Sequence, residues 1–451
     1  MRPFDHREAE TANSAESGPT RRAVLRAGLS AVGALAVGCS RPPAPSPLSA
    51  EPSPPPRPLE VAGDASEGQA EASAEAETTT DAGADATSGP DGPSRPLLRR
   101  YAGLAASLPW IDLGGLPTPV SRVDALGERL GLTDLRVKGD DLAGEVYGGS
   151  KARKLEHLLA DALGREADGV LTFGGVGSNH ALATAIHARR HGLGCVLMLL
   201  PEPPSEHARV HLLAEQRVGC ELVRATGADV RDVDAALARR SDRDGLDVIP
   251  MGGTTPLGNA GYVNAAFELA EQCAEGLLPV PDVIYVALGT CGTAAGLYVG
   301  LRAAELPTRL VAVRASNPGM GSMRHLGFQI EATASYLHGL DPSFPEVEAD
   351  ASLLHLEHGF AGAGYAIPTE AGARAATLAA ELAGVELDST YTAKAFAALV
   401  HDAPRLAGQS VLFWNTYDAR PVSTEGVSPS DLPPPLRGYV GSHRSSTRTR
   451  P

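Results

Sequence analysis

A lysine in the first turn of a helix is electrostatically misplaced, because the helix dipole there favours anions. The segment Gly148-Gly149-Ser150-Lys151-Ala152-Arg153-Lys154-Leu155-Glu156 places one there, after two glycines that bring the chain round. The mismatch lowers the amine pKa and suits Lys151 to Schiff-base chemistry; an exposed lysine after a turn also fits the spacing. In a second segment, Phe173-Gly174-Gly175-Val176-Gly177-Ser178-Asn179-His180, a strand gives way to a helix. Backbone N–H groups with a Ser/Asn pair at such a junction can hold a carboxylate, and N-capping by Ser178 or Asn179 would leave the same trace. A third, Gly289-Thr290-Cys291-Gly292-Thr293-Ala294-Ala295-Gly296, follows another strand. Its small residues let the backbone close round a phosphate at a helix N-terminus, or simply let helix and strand pack closely. Its glycines do not fall as GxGxxG and there is no GK[ST], which disfavours a dinucleotide or ATP and leaves a single phosphate. The fourth group comprises Gly364-Tyr365-Ala366-Ile367-Pro368 and Asp388-Ser389-Thr390-Tyr391-Thr392-Ala393-Lys394, where each tyrosine precedes or opens a helical stretch; a buried tyrosine by itself is more often core than catalyst. His157, His187, His191, His207 and His211 show no metal-ligand spacing and read as surface or satisfied groups.

These residues need a scaffold, and the pattern supplies one. Short β-rich runs are expected at Leu135–Val137, Val170–Phe173, Cys195–Leu199, Glu221–Val223, Val283–Ala287, Leu310–Val313 and Ser410–Trp414. Helical patterns follow most of them, at Arg153–Leu163, Ala181–His191, Ala208–Glu215, Leu257–Glu275, Thr293–Ala304 and Glu370–Leu382. Strands alternating with helices at this spacing predict an α/β fold of parallel sheets covered on both faces.

The chain has 451 residues and a net charge of −15, which argues against a general nucleic-acid binder. No apolar run reaches the ~18 residues of a spanning helix. The five cysteines are scattered, without CxxC, so neither a zinc site nor a disulfide framework is expected. Between Phe4 and Tyr101 there is no Phe, Trp or Tyr, and residues 40–97 carry ten acidic and three basic side chains among Pro, Ala, Ser, Gly and Thr. Such a segment cannot bury enough apolar surface to offset its ordering entropy, and 40–97 is expected to be a disordered linker. Before it, Thr20-Arg21-Arg22-Ala23-Val24-Leu25-Arg26 and a short uncharged stretch from Ala27 to Gly38 lead to Cys39. A basic start, a short apolar run and small residues form a signal peptide. The paired arginines resemble a twin-arginine signal, and Leu35-Ala36-Val37-Gly38-Cys39 resembles a lipobox with Cys39 as the lipidated residue. The expected division is a signal peptide with lipobox over 1–39, the linker, a large domain from 98–150 and 263–440, a small domain over 151–262, and a tail over 441–451. The expected location is the periplasmic side of a membrane, held only through the lipid anchor, with the cytoplasm as the alternative.

Together the motifs resemble those of the D-cysteine desulfhydrase / 1-aminocyclopropane-1-carboxylate (ACC) deaminase group of pyridoxal 5'-phosphate (PLP) enzymes, whose patterns are GGNKxRKLE, GGxQSNH, GGSxxLGxxGY, a G[ST]GGT-like loop, GYGxP and DPVYxGK. Here they stand as GGSKARKLE (148–156), GGVGSNH (174–180), GGTTPLGNAGY (252–262), GTCGT (289–293), GYAIP (364–368) and DSTYTAK (388–394). The resemblance implies PLP fold type II, the tryptophan-synthase-β architecture, with two parallel or mixed sheets flanked by helices, a small amino acid as substrate and a homodimer. It makes Lys151, not Lys154, the Schiff-base lysine. It makes Gly289, Thr290, Cys291, Gly292 and Thr293 the phosphate cup. Asn179 falls where the cofactor's 3-oxygen is bonded, Ser178 where the substrate carboxylate is met or the lysine assisted, with Asn179 and His180 beside it. Tyr365 and Tyr391 match the active-site tyrosines, and Thr392 falls where the pyridine nitrogen is met. Ser150, Gly177, Ala393 and Asn415-Thr416-Tyr417-Asp418 depart from the patterns, most of all on the substrate side.

Deaminase members place Glu after the second tyrosine and Leu near the last strand, whereas desulfhydrase members place Thr at both; here these are Thr392 and Thr416. A neutral hydroxyl leaves the ring a weaker electron sink, adequate for α-proton removal by Lys151 and loss of a good β-leaving group. The expected reaction is α,β-elimination, D-cysteine and water giving pyruvate, ammonia and hydrogen sulfide. ACC deamination is the alternative enzyme, and an exported PLP- or amino-acid-binding lipoprotein without turnover the alternative of another class.

Overall fold

The computed structural model describes residues 95–231 and 245–440. The expected export signal with Cys39, the expected linker up to residue 94 and the expected 441–451 tail lie outside the described residues. In chain order the regular elements are α1 (Pro96–Arg100), α2 (Ala102–Ser107), β1 (Val120–Arg122), α3 (Asp124–Leu130), β2 (Asp134–Gly139), α4 (Ser150–Gly164), β3 (Gly169–Gly175), α5 (Asn179–Arg190), β4 (Gly194–Leu200), α6 (Glu206–Val218), β5 (Glu221–Arg224), α7 (Gly227–Arg231), β6 (Leu246–Ile249), α8 (Pro256–Ala274), β7 (Val283–Leu288), α9 (Gly292–Ala303), β8 (Arg309–Arg314), α10 (Met323–Leu340), β9 (Leu354–Glu357), α11 (Glu370–Ala383), α12 (Thr392–Asp402) and β10 (Ser410–Asn415).

Two sheets form. The larger has the order β1-β2-β10-β7-β8-β9 and the smaller β5-β4-β3-β6. Every pairing is parallel except β1 with β2. Val283-Ile284-Tyr285-Val286-Ala287-Leu288 is buried at all six positions, the continuous apolar run of a strand covered on both faces. Edge strands β5 and β9 instead carry charges at their ends, which blunts their open edges. Strand β10 inserts between β2 and β7, pairing Asn415 with Gly139 and Trp414 with Val286. The residues just after β10 thereby return to the start of α4.

The folded region begins earlier than the expected boundary at residue 97. Arg95 and Leu97 are buried, and Arg95 donates to Glu156 at 2.7 Å with its guanidinium over the Trp110 ring. Strands β1, β6 and β9, the short helices α1, α2, α3 and α7, and helices α10 and α12 were not expected. The three strands have three or four residues, too short to show alternation. Along α10 the buried face carries Gln329 and Thr333 among its apolar residues, which breaks the hydrophobic period; both accept from Asn259 Nδ2. Helix α12 is buried over its first eight residues, so it shows no polar face.

Candidate active site

A cavity of about 510 Å³ lies at the C-terminal ends of the strands, lined by residues that follow β3, β4, β7, β8 and β10. Ligands of open parallel sheets bind at this edge. Lys151, Ser178, Asn179 and His180 reach it from one side, Gly289 to Thr293 from another, and Tyr365 and Tyr391 close it.

Helix α4 sets the lysine. Gly149 precedes it at φ 50°, and a Cβ there would press on Thr416 O and Asp418 N. The close approach lets Ser150 N–H donate to Thr416 O and Gly148 N–H to the Asp418 carboxylate. Lys151 Nζ donates to Ser150 Oγ at 2.7 Å. Burial pushes its amine down to about 8, opposed by the charge of Asp388. One turn on, Lys154 is also buried, donating to Gly252 O at 3.1 Å and Thr254 Oγ1 at 3.4 Å. Burial and then the Lys151 charge hold its amine well below the ordinary value. Sequence reasoning gave Lys154 no part in the site. Its place one turn after Lys151 on the same face was the available signal.

The motif's other charges point away from the cavity. Arg153 is enclosed by Asp140 and Glu268: its guanidinium donates to Asp140 Oδ1 at 2.7 Å and Oδ2 at 2.9 Å, and to Glu268 Oε2 at 2.9 Å. Lys138 Nζ donates to Glu268 Oε1, and Tyr262 OH to Asp140 Oδ2 at 2.8 Å.

Between β7 and α9 the chain bends tightly. Cys291 sits at φ 71°, a left-handed conformation unusual for a side-chain-bearing residue, and its thiol donates to Met320 O. A Cβ at Gly289 would stand 3.0 Å from the Tyr391 ring, and one at Gly292 2.6 Å from Lys154 Nζ. Ser316 Oγ donates to Gly289 O, and the Thr290 and Thr254 hydroxyls pair at 2.6 Å. The first N–H groups of the twelve-residue α9 thus end in a cup that only small residues permit, beside the buried Lys154 amine.

On the opposite wall Ser178 caps α5, its Oγ accepting the Ala181 N–H at 3.3 Å. Asn179 Oδ1 accepts from Tyr147 OH at 3.5 Å, and His180 pairs through Nε2 with Thr172 Oγ1. The Tyr365 and Tyr391 rings meet edge to face with centroids 5.9 Å apart. Burial drives both hydroxyls well above their ordinary pKa. Lys394 Nζ donates to Ala361 O at 2.8 Å and Gly364 O at 3.2 Å, which fixes the loop carrying Tyr365.

Thr392 departs from the expected placement. It is fully buried and does not line the cavity. Its hydroxyl donates to Asp388 Oδ1 at 2.7 Å and accepts the Asp388 N–H at 2.8 Å. The cause is the turn into α12, where the Asp388 carboxylate also takes the N–H groups of Thr390, Tyr391 and Thr392. Thr416 and Asp388 line the cavity instead.

A model of the family "Pyridoxal-phosphate dependent enzyme" matches residues 111–416. The chain belongs to this family. It is 37% identical over 301 residues to a D-cysteine desulfhydrase of Salmonella choleraesuis (strain SC-B67), covering 65% of this chain and 88% of the relative. The D-cysteine desulfhydrase of Klebsiella pneumoniae (strain 342) is 36% identical over 303 residues, with the same coverage. Among solved structures, an ACC deaminase homologue superposes with a TM-score of 0.62 at 32% identity, over 71% of this chain and 94% of that one. The protein is thus a PLP-dependent enzyme of the D-cysteine desulfhydrase / ACC deaminase group, with the type II fold. The residues present fit the cofactor. Lys151 supplies a buried amine with a lowered pKa, and the Gly289–Thr293 cup with the Lys154 amine supplies hydrogen-bond donors for a phosphate.

Proposed function

We propose that this enzyme is a lyase that eliminates hydrogen sulfide from D-cysteine, yielding pyruvate and ammonia. The observation that carries this reading is the neutral Thr416 in the cavity lining, where deaminase-like chains would place Leu; the relatives named D-cysteine desulfhydrases support it. Bound PLP would draw electrons from the substrate's Cα and so acidify its proton. Lys151 Nζ, held beside Ser150 Oγ and neutral for an appreciable fraction near pH 8, accepts that proton. Ser178 and the amide groups at the start of α5 bind the substrate carboxylate. The Tyr365–Tyr391 pair, protonated throughout the physiological range, covers the reacting side chain and excludes water from it. The test is a panel of amino acids on purified enzyme, following sulfide, pyruvate and 2-oxobutyrate. Sulfide from D-cysteine is the expected result. 2-Oxobutyrate from ACC without sulfide would replace this reading by the deaminase, and no product from any amino acid would replace it by the non-catalytic binding lipoprotein.

We also infer that the chain is exported and anchored through lipid on Cys39, with 40–97 as the tether. Arg21-Arg22, the uncharged Ala27–Gly38 stretch and the lipobox-like run fall in the right order, and a twin-arginine route carries folded proteins, as an enzyme loaded with cofactor in the cytoplasm requires. In cell fractionation the parent should sit with membranes, Arg21→Lys/Arg22→Lys should stay cytoplasmic and Cys39→Ala should lose its anchor. A cytosolic parent retaining Met1 overturns the idea. The homodimer rests on the family resemblance and is tested by light scattering of the purified enzyme.

A further inference from the structure

The proposed reaction gives Glu202, a titratable group of the cavity lining, no task. Glu202, two residues beyond β4, lines the cavity beside the Gly174–Asn179 turn. Its Oε1 accepts the Gly177 N–H at 2.8 Å. Its Oε2 is buried and has no hydrogen-bond partner among the described residues. Two glycines admit this carboxyl group: a Cβ at Gly175 would collide with Oε2, and one at Gly177 with Oε1. Glu202 therefore fills the space of a side chain at position 177.

The surroundings decide which form the carboxyl group takes. Tyr365 and Tyr391 face it from the segments before α11 and α12, and Asp388 lies in the turn beside Tyr391. His207 and Glu215 face it from α6, and His207 Nε2 bonds Gly177 O at 3.0 Å. Burial keeps the tyrosines and Glu215 protonated and His207 neutral, so none of them supplies a positive charge. Burial accordingly pushes the Glu202 carboxyl up to about 7, against the single Gly177 hydrogen bond. With Oε1 committed as acceptor, the proton of the neutral acid belongs on Oε2, which lies in the cavity wall against Gly175. The substrate group closest by chemistry is its carboxylate, because the start of α5 attracts negative charge and the substrate's amine is directed to the cofactor carried by Lys151.

We propose that Glu202 is a specificity-determining residue that binds substrate as a carboxylic acid, donating from Oε2 to the carboxylate of the amino acid held at the Gly174–Asn179 turn. This rests on the reading of the cavity as an amino-acid site. Ionised, Glu202 repels the same carboxylate, so its contribution is present at low pH and lost as pH rises through its own titration.

The test uses cofactor-loaded enzyme and D- or L-alanine, which carry the carboxylate but no leaving group. Binding is followed by the visible absorption change from about pH 5.5 to about pH 8.5, for the wild type, Glu202→Gln and Glu202→Ala. The wild-type dissociation constant divided by that of Glu202→Gln should be level below about pH 7 and rise roughly tenfold per unit above it. This ratio cancels the titration of the alanine amine, common to both proteins. Glu202→Ala keeps the comparison available if the Gln variant does not load cofactor. A ratio independent of pH, or no binding of either alanine to the wild type at any pH, overturns the proposal. Failure of the desulfhydrase reading shows separately, as absence of sulfide from D-cysteine while alanine still binds.

Discussion

Lys151 and Arg153 stand two residues apart on one helix, both removed from water, and only one of them is provided with countercharges. Arg153 meets Asp140 and Glu268 directly, with Lys138 and Tyr262 completing the network. Its guanidinium is held well above its ordinary pKa despite burial. Lys151 has a neighbouring hydroxyl and only the more distant field of Asp388. Burying a cation costs several kcal/mol unless carboxylates repay it. Where they do, the cation is structural; where they are withheld, the same burial yields an amine that gives up its proton near neutrality. Two residues of α4 therefore separate an anchor from a reagent.

The comparison breaks most visibly at Lys151. Lys151→Ala should lower turnover by at least about a thousandfold, since it removes both the cofactor's attachment and the general base. The purified variant should lose the visible absorption of the attached cofactor while keeping its circular dichroism. Lys154→Ala should retain covalent attachment and need more PLP for saturation. If Lys154→Ala abolished attachment and Lys151→Ala kept it, the two lysines would have to exchange roles.

Arg153 should give the opposite pattern. Arg153→Ala leaves Asp140 and Glu268 buried with Lys138 as their remaining cation, which should cost about 3–5 kcal/mol of stability. A fall in Tm is the expected readout, with activity per folded molecule much less affected. Unchanged Tm with lost turnover would move Arg153 into the chemistry.

A smaller effect concerns pH. The folded Lys151 has a depressed pKa, about 8 against about 10.5, so the unfolded chain binds its proton more readily. Its destabilising contribution in cofactor-free enzyme is complete below pH 8 and fades as pH rises from 8 towards 10.5. Lys151→Met should therefore be more stable than the wild type at pH 7, by roughly 1–3 kcal/mol, and the difference should shrink by pH 10. Denaturant unfolding of cofactor-free protein at the two pH values measures it, and equal differences at both would contradict the unpaired state of Lys151.

The same contrast explains what was legible in the sequence. Motifs that hold the cofactor lie in contiguous runs, because strand, turn and helix N-terminus must follow one another to build a phosphate cup. Lys151 and Gly289–Thr293 were therefore readable before any coordinates. Groups that act across the fold were not. Arg95 and Glu156 meet across 61 positions, and Lys394 reaches back to Gly364. Glu202 sits in a proline-rich turn that reads as loop, and its only trace is the pair of glycines that admit it. Buried Gln329 and Thr333 interrupt the apolar stripe of α10, and α12 is buried over its first eight residues and shows no polar face there, which hid these two helices.

Thr392 supplies the finest distinction. Position alone made it the partner of the pyridine nitrogen, yet its hydroxyl is spent on Asp388, both donating to Oδ1 and accepting the backbone N–H. Asp388 in turn ties three backbone N–H groups at the start of α12 and is the charge that opposes the fall in the Lys151 pKa. Thr392→Val should then behave as the loss of a buried helix-start hydrogen bond, costing about 1–2 kcal/mol, with the ratio of sulfide to 2-oxobutyrate formation unchanged. Thr416 lines the cavity at the end of β10, against Gly149 and the start of α4. Thr416→Val should change that product ratio without a comparable loss of stability. Parallel Tm and product measurements on the two variants decide the matter: a shifted product ratio in Thr392→Val alone would return the role to Thr392 and show that its hydroxyl leaves Asp388 when cofactor and substrate are in place.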